Sequence, residues 1–388
     1  MKKLISILGS TGSIGLNALS IIDKKPNYFE IILLSSNKNF INICKQIKKY
    51  KPKYFLIYDK KTFLKVKTKF KQSKTKIINK LEIKKFNLIS DVTLTAIPGI
   101  SGLKPTVDII DKTKKILIAN KESIICGWKL ILKKAMKSNT KIIPVDSEHY
   151  SIFQLIKNHK MQEIEKIIIT ASGGPFLNLK YSSFKNIKPK DALAHPKWKM
   201  GKKISVDSAT LMNKILELIE AQKLFNIDKN KIDILIHPNS LVHAIIKLKN
   251  GLTKFIYHET TMIIPLANAI FDEKLEINKF LPKNKKIQSK NIENLIFKKP
   301  DQKIFPIIKI IKRITEYEST PIIINAVNEV LVDQFIRKKT SFLNISRMII
   351  NIMNDRNYRR FAIREPKNIT QINDIDFWAR NTVLKKLN

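Results

Sequence analysis

Acidic side chains are scarce in this sequence: 32 Asp and Glu stand against 73 Lys and Arg, a formal net charge of +41 over 388 residues. Alone, such a deficit points to a polyanionic partner. The lysines, however, recur in nearly every segment, mostly on the polar faces of periodic stretches, so no dedicated basic groove is expected and no specific nucleic acid is expected as partner. Weak, salt-dependent adhesion to polyanions is expected instead. Cysteine is rarer still. Cys44 and Cys126 are the two, without metal-ligand spacing, which excludes a disulfide framework and fits a reducing compartment. No apolar run approaches the length of a membrane span. Met1-Lys2-Lys3-Leu4 enters a strand-like run at once, too short for a signal sequence. A cytoplasmic protein without membrane association is therefore expected. There are ten glycines; with the abundance of Ile and Asn this reads as compositional drift.

What is present is enough apolar material, 44% of residues, for the two or three domains that the length suggests. Up to residue 145 short apolar runs (Leu4–Leu8, Ile31–Ser35, Tyr54–Tyr58, Asp91–Ala96, Lys115–Ala119, Lys141–Val145) alternate with amphipathic stretches such as Ile14–Lys24 and Phe40–Lys49. That alternation predicts a doubly wound parallel sheet, Rossmann-like, over residues 1–145. Lysines from Lys60 to Lys85 read as a solvated helix face. A central α+β segment, 146–278, holds a strand at Ile167–Thr170, a strong helix at Ser208–Phe225, and strands at Ile232–His237, Leu241–Leu248 and Thr253–His258, the last two joined by an Asn250-Gly251 hairpin. Residues 279–303 read as a linker. From 304 to 388, Ile304–Glu318, Pro321–Lys338, Ser341–Asp355 and Phe377–Leu387 read as a bundle of amphipathic helices.

Gly9-Ser10-Thr11-Gly12-Ser13-Ile14-Gly15 sits between the first strand and the first helix. Glycines there admit a pyrophosphate close to the backbone, and the helix N-terminus favours its charge. An NAD-binding chain would carry an acid at the end of the second strand for the ribose hydroxyl. Here the residues are Ser35-Ser36-Asn37-Lys38-Asn39, which suits a 2′-phosphate and so NADPH. Asp146 and Glu148, two apart in what reads as an extended segment, point to one side. Asn213, Lys214 and Glu217 share a helical stripe. Three oxygen ligands without thiolate suit Mg²⁺ or Mn²⁺ better than zinc; from spacing alone, solvated loop and helix acids remain the alternative. Ser172-Gly173-Gly174-Pro175 after a strand is either a phosphate nest, with Ser208, Asn213 and Lys214 adding donors, or a structural turn. Ala194-His195-Pro196-Lys197-Trp198-Lys199-Met200-Gly201 is either a mobile lid or a loop tucking Trp198 into the core. Asn120-Lys121-Glu122-Ser123 lies at the C-terminal end of a sheet strand, where ligands bind in such folds, or is simply a helix start with ordinary charged residues.

In this order, with Ile236-His237-Pro238-Asn239-Ser240 and Asn325-Ala326-Val327-Asn328-Glu329 following, these motifs resemble the 1-deoxy-D-xylulose 5-phosphate reductoisomerase family over about residues 3 to 380. The resemblance implies an NADPH-binding domain (1–145), a catalytic and dimerisation domain with a flap (146–278), and a C-terminal helical domain (304–388). It implies a homodimer that rearranges and reduces a small sugar phosphate, 1-deoxy-D-xylulose 5-phosphate, to 2-C-methyl-D-erythritol 4-phosphate, with NADPH and Mg²⁺ or Mn²⁺ (Co²⁺ also fits). By that resemblance Thr11, Gly12, Ser13 and Ile14 match the pyrophosphate loop, and Asn37, Lys38 and Asn39 the 2′-phosphate end. Asn120, Glu122, Met200 and Gly201 match further cofactor contacts, and Asp146, Glu148 and Glu217 the metal ligands. Lys121, Ser147, Glu148, Ser172, His195, Trp198, Ser208, Asn213, Lys214 and Glu217 match substrate contacts, with Trp198 and Met200 on the flap. Lys121 with the three carboxylates forms the catalytic set. Asn37 and Ile215 stand where the family has glycine, Asn239 where it has Gln, and Glu259–Pro265 lacks the family's acid and arginine. Two other classes share parts of the pattern. A semialdehyde- or homoserine-type NADPH reductase would be metal-independent or use a catalytic Cys, and a basic nucleic-acid-binding protein could retain the fold.

Overall fold

The computed structural model describes residues 2–80, 89–196, 198, 200–281 and 295–387. Two compact units account for the chain: Met1–Ser123 with Lys129–Tyr150 and Thr261–Gln288, and Ile124–Trp128 with Ser151–Thr260 and Ser289–Asn388.

The first unit is built on seven parallel strands: β1 (Lys3–Leu8), β2 (Phe29–Ser36), β3 (Tyr54–Ile57), β4 (Lys76–Ile78), β5 (Ser90–Thr95), β6 (Thr113–Ile118) and β7 (Lys141–Pro144). Their order is β4-β3-β2-β1-β5-β6-β7. Ile5, Ile7, Leu33, Leu34, Leu94, Ile116 and Leu117 are fully buried, as strands covered on both faces require. Between β1 and β5 the direction of strand succession reverses, which opens the crevice where ligands bind in doubly wound sheets. Connections include α1 (Ser13–Asp23), α2 (Phe40–Tyr50), α3 (Lys60–Lys69), α4 (Leu103–Ile109) and α5 (Lys121–Ser138). Thus the six expected strands form, and β4, only three residues at the sheet edge, is additional. Part of the lysine-rich stretch, 81–88, lies outside the described residues.

A later helix, α10 (Ile263–Phe271), belongs to the same unit. Phe271 meets Tyr28 and Phe29, with ring centroids 5.3 and 5.5 Å apart. Lys115 donates from its buried ammonium to the Ala269 carbonyl at 2.8 Å and pairs with Asp272 at 2.7 Å. Burial pushes the Lys115 pKa down, and the Asp272 carboxylate opposes that.

In the second unit β8 (Ile164–Ala171), β9 (Ile232–Ile236), β10 (Val242–Leu248) and β11 (Thr253–Tyr257) form a sheet in the order β11-β10-β8-β9. Gly251, at φ 88°, turns the expected hairpin between β10 and β11. The helix expected over Ser208–Phe225 is two: α8 (Lys202–Ala209) and α9 (Met212–Phe225), after α6 (Ser147–Ile156) and α7 (Pro189–Leu193). Leu211 breaks it with a left-handed φ of 65°. The helix expected over Ile304–Glu318 is instead a 3₁₀ segment, Pro306–Arg313. Pro306 opens it, and the buried Ile307 and Ile310 fall three residues apart, on one side of a three-residue turn. Four α-helices follow: α11 (Thr320–Ile336), α12 (Phe342–Met353), α13 (Tyr358–Ala362) and α14 (Ile369–Leu387). Much of the expected linker, 282–294, lies outside the described residues.

Candidate active site

The glycine loop expected to hold a dinucleotide lies in the first unit. Gly9 has φ 86°, and a Cβ there would stand 2.6 Å from the Ala96 carbonyl; one on Gly15 would stand 2.4 Å from the Gly9 carbonyl. Only glycine allows the loop to fold back on itself this tightly. Its outer side is fastened to β2 and α2. Gly9 N–H donates to Ser35 Oγ at 3.0 Å, Thr11 and Ser36 share a hydroxyl hydrogen bond of 2.6 Å, and the Gln46 amide donates to the Ser10 carbonyl at 2.9 Å. Gly12 caps α1, whose first turn, Ser13 to Gly15, presents backbone N–H groups with no partner inside the helix.

No carboxylate stands at the end of β2. Asn37 and Lys38 lie in the turn, and Asn39 turns its carboxamide to the Asn42 N–H to cap α2. Asn37 is not among the positive-φ residues, so losing the family's glycine there strains nothing. The next acid along, Asp59, is engaged in capping α3 through the Thr62 N–H and hydroxyl, which hold its carboxyl below the usual range.

Asn120 caps α5 at the C-terminal end of β6. Its amide donates to the Ile97 and Gly99 carbonyls, and its Oδ1 accepts from Ser123 N–H at 2.6 Å. Both amide hydrogens are thereby committed, which leaves the backbone of this residue for any cofactor contact. Lys121 begins α5 and reaches Asp146, Nζ to Oδ2 3.2 Å. Glu122, the first-turn acid of α5, is also buried.

Asp146 and Glu148 are not on an extended segment, as the sequence suggested. Asp146 opens α6: its carbonyl accepts from Tyr150 N–H at 2.8 Å, and its carboxylate accepts from Glu148 N–H at 3.3 Å. Glu148 sits in the first turn, its carboxylate bonded to the Ser147 hydroxyl. The fully buried His149, a residue the sequence reading gave no role, adds its Nδ1 to Asp146 at 3.3 Å.

The second unit holds the residues of the expected phosphate nest. Gly173 and Gly174 are both left-handed, at φ 83° and 65°, and a Cβ on Gly174 would stand 2.8 Å from the Ser208 carbonyl. The Ser172 turn therefore lies directly on the end of α8. Ser172 Oγ accepts from Gly174 N–H at 3.1 Å and contacts His195 Nε2 at 3.1 Å. Because His195 Nδ1 accepts from Trp198 N–H at 2.9 Å, its proton sits on Nε2 and is donated to Ser172. The Ser172 hydroxyl hydrogen is then oriented away from both, available to an anionic oxygen. Burial, and secondarily the Lys214 charge, push the His195 pKa down to about 4, so the ring stays uncharged at neutral pH.

Below the break at Leu211, α9 carries Asn213, Lys214 and Glu217. Glu217 is only 1% exposed. The Asn213 amide donates to its Oε1 and Lys214 Nζ lies 2.6 Å from its Oε2. A solvated helix face is excluded. Ile215 adds its bulk to the buried side of α9, and Glu220, one turn on, is also buried, an acid in an apolar helix that could have been singled out. Asp207, beside Ser208, receives the Asn328 amide at 2.7 Å and pairs with Lys203 at 2.9 Å, tying α8 to α11. Gly201 caps α8, and an added Cβ would meet nothing within 4 Å, so packing within the chain gives no reason for glycine there. Trp198 and Met200 are half-buried in the segment before it.

Three sequence families cover the chain: 1-deoxy-D-xylulose 5-phosphate reductoisomerase at 5–127, its C-terminal domain at 142–225, and the DXP reductoisomerase C-terminal domain at 259–382. The 1-deoxy-D-xylulose 5-phosphate reductoisomerase of Pelagibacter ubique (strain HTCC1062) is 46% identical over 384 residues, 97% of each chain. That of Clostridium novyi (strain NT) is 39% identical over 402 residues, 100% of each. The enzyme of Zymomonas mobilis, solved in complex with NADPH, superposes with a TM-score of 0.89 at 29% identity over 100% of both chains. A DOX-P reductoisomerase solved with NADPH, fosmidomycin and magnesium gives 0.87 at 28%, over 99% of this chain and 98% of that one. With the dinucleotide loop, the buried carboxylate of α9 and the Ser172 nest all within the matched segments, this chain belongs to the 1-deoxy-D-xylulose 5-phosphate reductoisomerase family.

Proposed function

We propose that this chain converts 1-deoxy-D-xylulose 5-phosphate to 2-C-methyl-D-erythritol 4-phosphate, with NADPH as reductant and a divalent cation as cofactor. The observation that carries this reading is the buried Glu217 carboxylate held between Asn213 and Lys214, in a chain whose first unit carries a dinucleotide loop. NADPH supplies the hydride. Its pyrophosphate lies on Thr11, Gly12, Ser13 and Ile14, its 2′-phosphate beside Asn37, Lys38 and Asn39, and its remainder along Asn120, Glu122, Met200 and Gly201. The absence of an acid at the end of β2 supports NADPH over NADH.

Asp146, Glu148 and Glu217 are the metal ligands. Oxygen donors alone, with no thiolate, fit Mg²⁺ or Mn²⁺, and each carboxylate oxygen can accept more than one contact. The cation supplies Lewis-acid polarisation of the substrate carbonyl. Lys121 holds its ammonium against Asp146 and is placed to balance negative charge developing on a substrate oxygen. Ser147 and Glu148 hold the substrate hydroxyls, while Ser172, Ser208, Asn213 and Lys214 hold its phosphate. Ser172 donates the hydrogen that His195 leaves to it. Phosphate binding, remote from the reacting carbons, can drive closure of the 195–201 segment and exclusion of water.

The active form is a homodimer, a reading supported by the open edge of β11, where Lys254 and Phe255 are exposed. The cytoplasm is its compartment, supported by a cysteine count of two, Cys44 and Cys126, both buried; among the described residues no helix is long and apolar enough to cross a membrane. The test is NADPH oxidation on mixing with 1-deoxy-D-xylulose 5-phosphate. Turnover that requires Mg²⁺ or Mn²⁺ supports the reading; no turnover with either metal, or equal turnover after chelation, overturns it.

A further inference from the structure

Outside the groups assigned above, the second unit stacks two histidines on each other beside the segment that carries Trp198. His243 is the extra residue of a bulge in β10: Val242 pairs with Tyr257 and Ala244 with Ile256, and His243 is passed over. His258 follows β11 and donates its backbone N–H to the Leu241 carbonyl at 2.9 Å. The bulge turns both rings to one side, with centroids 3.8 Å apart and planes 14° from parallel. Each ring is also fixed in its plane. His243 Nε2 donates to the His258 carbonyl at 3.2 Å, and His258 Nδ1 donates to the Glu259 carbonyl at 2.8 Å. Among the described residues His258 Nε2, which is buried, has no hydrogen-bond partner. With the proton on Nδ1 this atom carries a lone pair, and protonation would bury an uncompensated charge. Burial and the neighbouring His243 accordingly push His258 down to about 3.

The Trp198 indole approaches His243 edge-on, at 6.2 Å and 80°. The Trp198 backbone is held as well, its main-chain N–H donating to His195 Nδ1 and His195 in turn bonding Ser172. His195 is thus fastened to the phosphate nest and Trp198 to a pair of rings, the outer backed by the inner.

We infer that His258 is a positioning residue for the substrate: its ring backs His243, His243 seats Trp198, and the pair sets how firmly Trp198 is held over the sugar phosphate. This rests on the reading that 195–201 covers the substrate. Mere core filling is the competing role for His258, and the two differ in what a substitution changes. A filler alters stability and leaves the substrate KM alone. A seat alters the substrate KM while leaving that of NADPH alone.

The experiment compares the full-length enzyme with His258→Ala, His258→Leu, His258→Phe, Trp198→Ala and the double variant Trp198→Ala/His258→Ala. KM for 1-deoxy-D-xylulose 5-phosphate, KM for NADPH, kcat and the change in tryptophan fluorescence on substrate binding are the readouts. His258→Ala raises the substrate KM about three- to tenfold, the range of one aromatic pair, and diminishes the fluorescence change, with the NADPH KM unaltered. His258→Leu, which fills the space without a ring, does the same and serves if the Ala variant does not fold. His258→Phe restores the stack and returns the substrate KM to within about twofold of the parent. In the Trp198→Ala background, His258→Ala adds nothing further. A substrate KM unchanged in both His258→Ala and His258→Leu, a parallel rise in the NADPH KM, or additive effects in the double variant overturns the inference. If Trp198→Ala itself leaves the substrate KM unchanged, the covering role of 195–201 falls. If Trp198→Ala raises it and the His258 variants do not, only the role of His258 falls.

Discussion

Neutral histidines carry much of the second unit's polar organisation. His195 and His258 are both pushed well below the ordinary imidazole pKa, to about 4 and about 3, by burial first and by Lys214 or His243 second. An unfolded chain protonates them near 6.5, so between that pH and the native values the unfolded state binds more protons and stability rises with pH. The contribution is therefore complete above about pH 6.5 and shrinks as the pH falls towards 4 and then 3. For His258 alone this amounts to about 2 kcal/mol between pH 8 and pH 5. Urea titrations at those two pH values should show the loss, and His258→Phe should lose about that much less; an equal loss in both proteins contradicts the assignment. At this scale the sequence was legible where partners lie within one turn of a helix, as with Asn213, Lys214 and Glu217. It was not legible for His243 and His258, fifteen residues apart and joined only by a hairpin and a bulge.

Elements were readable where periodicity alone decides them and misread where a single backbone conformation overrides it. The strands of the first unit follow from continuous apolar runs. The stretch Ser208–Phe225 reads as one helix because nothing in Thr210-Leu211 breaks a helical pattern, no Pro and no Gly. Leu211 nonetheless adopts φ 65°, a conformation that costs a non-glycine residue about 1–3 kcal/mol and recurs at functional sites. The break separates Ser208, at the end of α8, from Asn213 and Lys214, at the start of α9. Likewise Asp146 and Glu148 read as strand-like because they follow an apolar run, whereas Asp146 is the residue whose carboxylate starts α6. A close fit between elements is the Ser172 turn against α8. Gly174→Ala must both hold φ 65° and displace the Ser208 backbone. It should raise the substrate KM by about tenfold or more, in keeping with the loss of a hydrogen bond to a charged group, while NADPH binding, measured by fluorescence, stays unchanged. Parental KM for the substrate would contradict the packing role of that glycine.

Across the whole molecule the architecture was the most legible feature, because strand–helix alternation admits few topologies. Residues 261–271 are the exception. They follow β11 in sequence, yet α10 packs in the first unit through Phe271 and Lys115, a placement no local pattern announces. The excess of 41 positive charges belongs to this scale too. Spread over many faces, it should retain the protein on a polyanionic resin with elution set by salt and no preference among nucleic-acid sequences; tight, sequence-selective binding at physiological salt would contradict the reading of a solvated charge excess. The measurement that bears most directly on the account is a Mn²⁺ titration followed by electron paramagnetic resonance, comparing the parent chain with Glu217→Gln. One site per chain, weakened about tenfold or more in the variant with NADPH affinity unchanged and turnover largely lost, is the predicted result. Equal Mn²⁺ affinity in the two proteins, with activity retained, would contradict it.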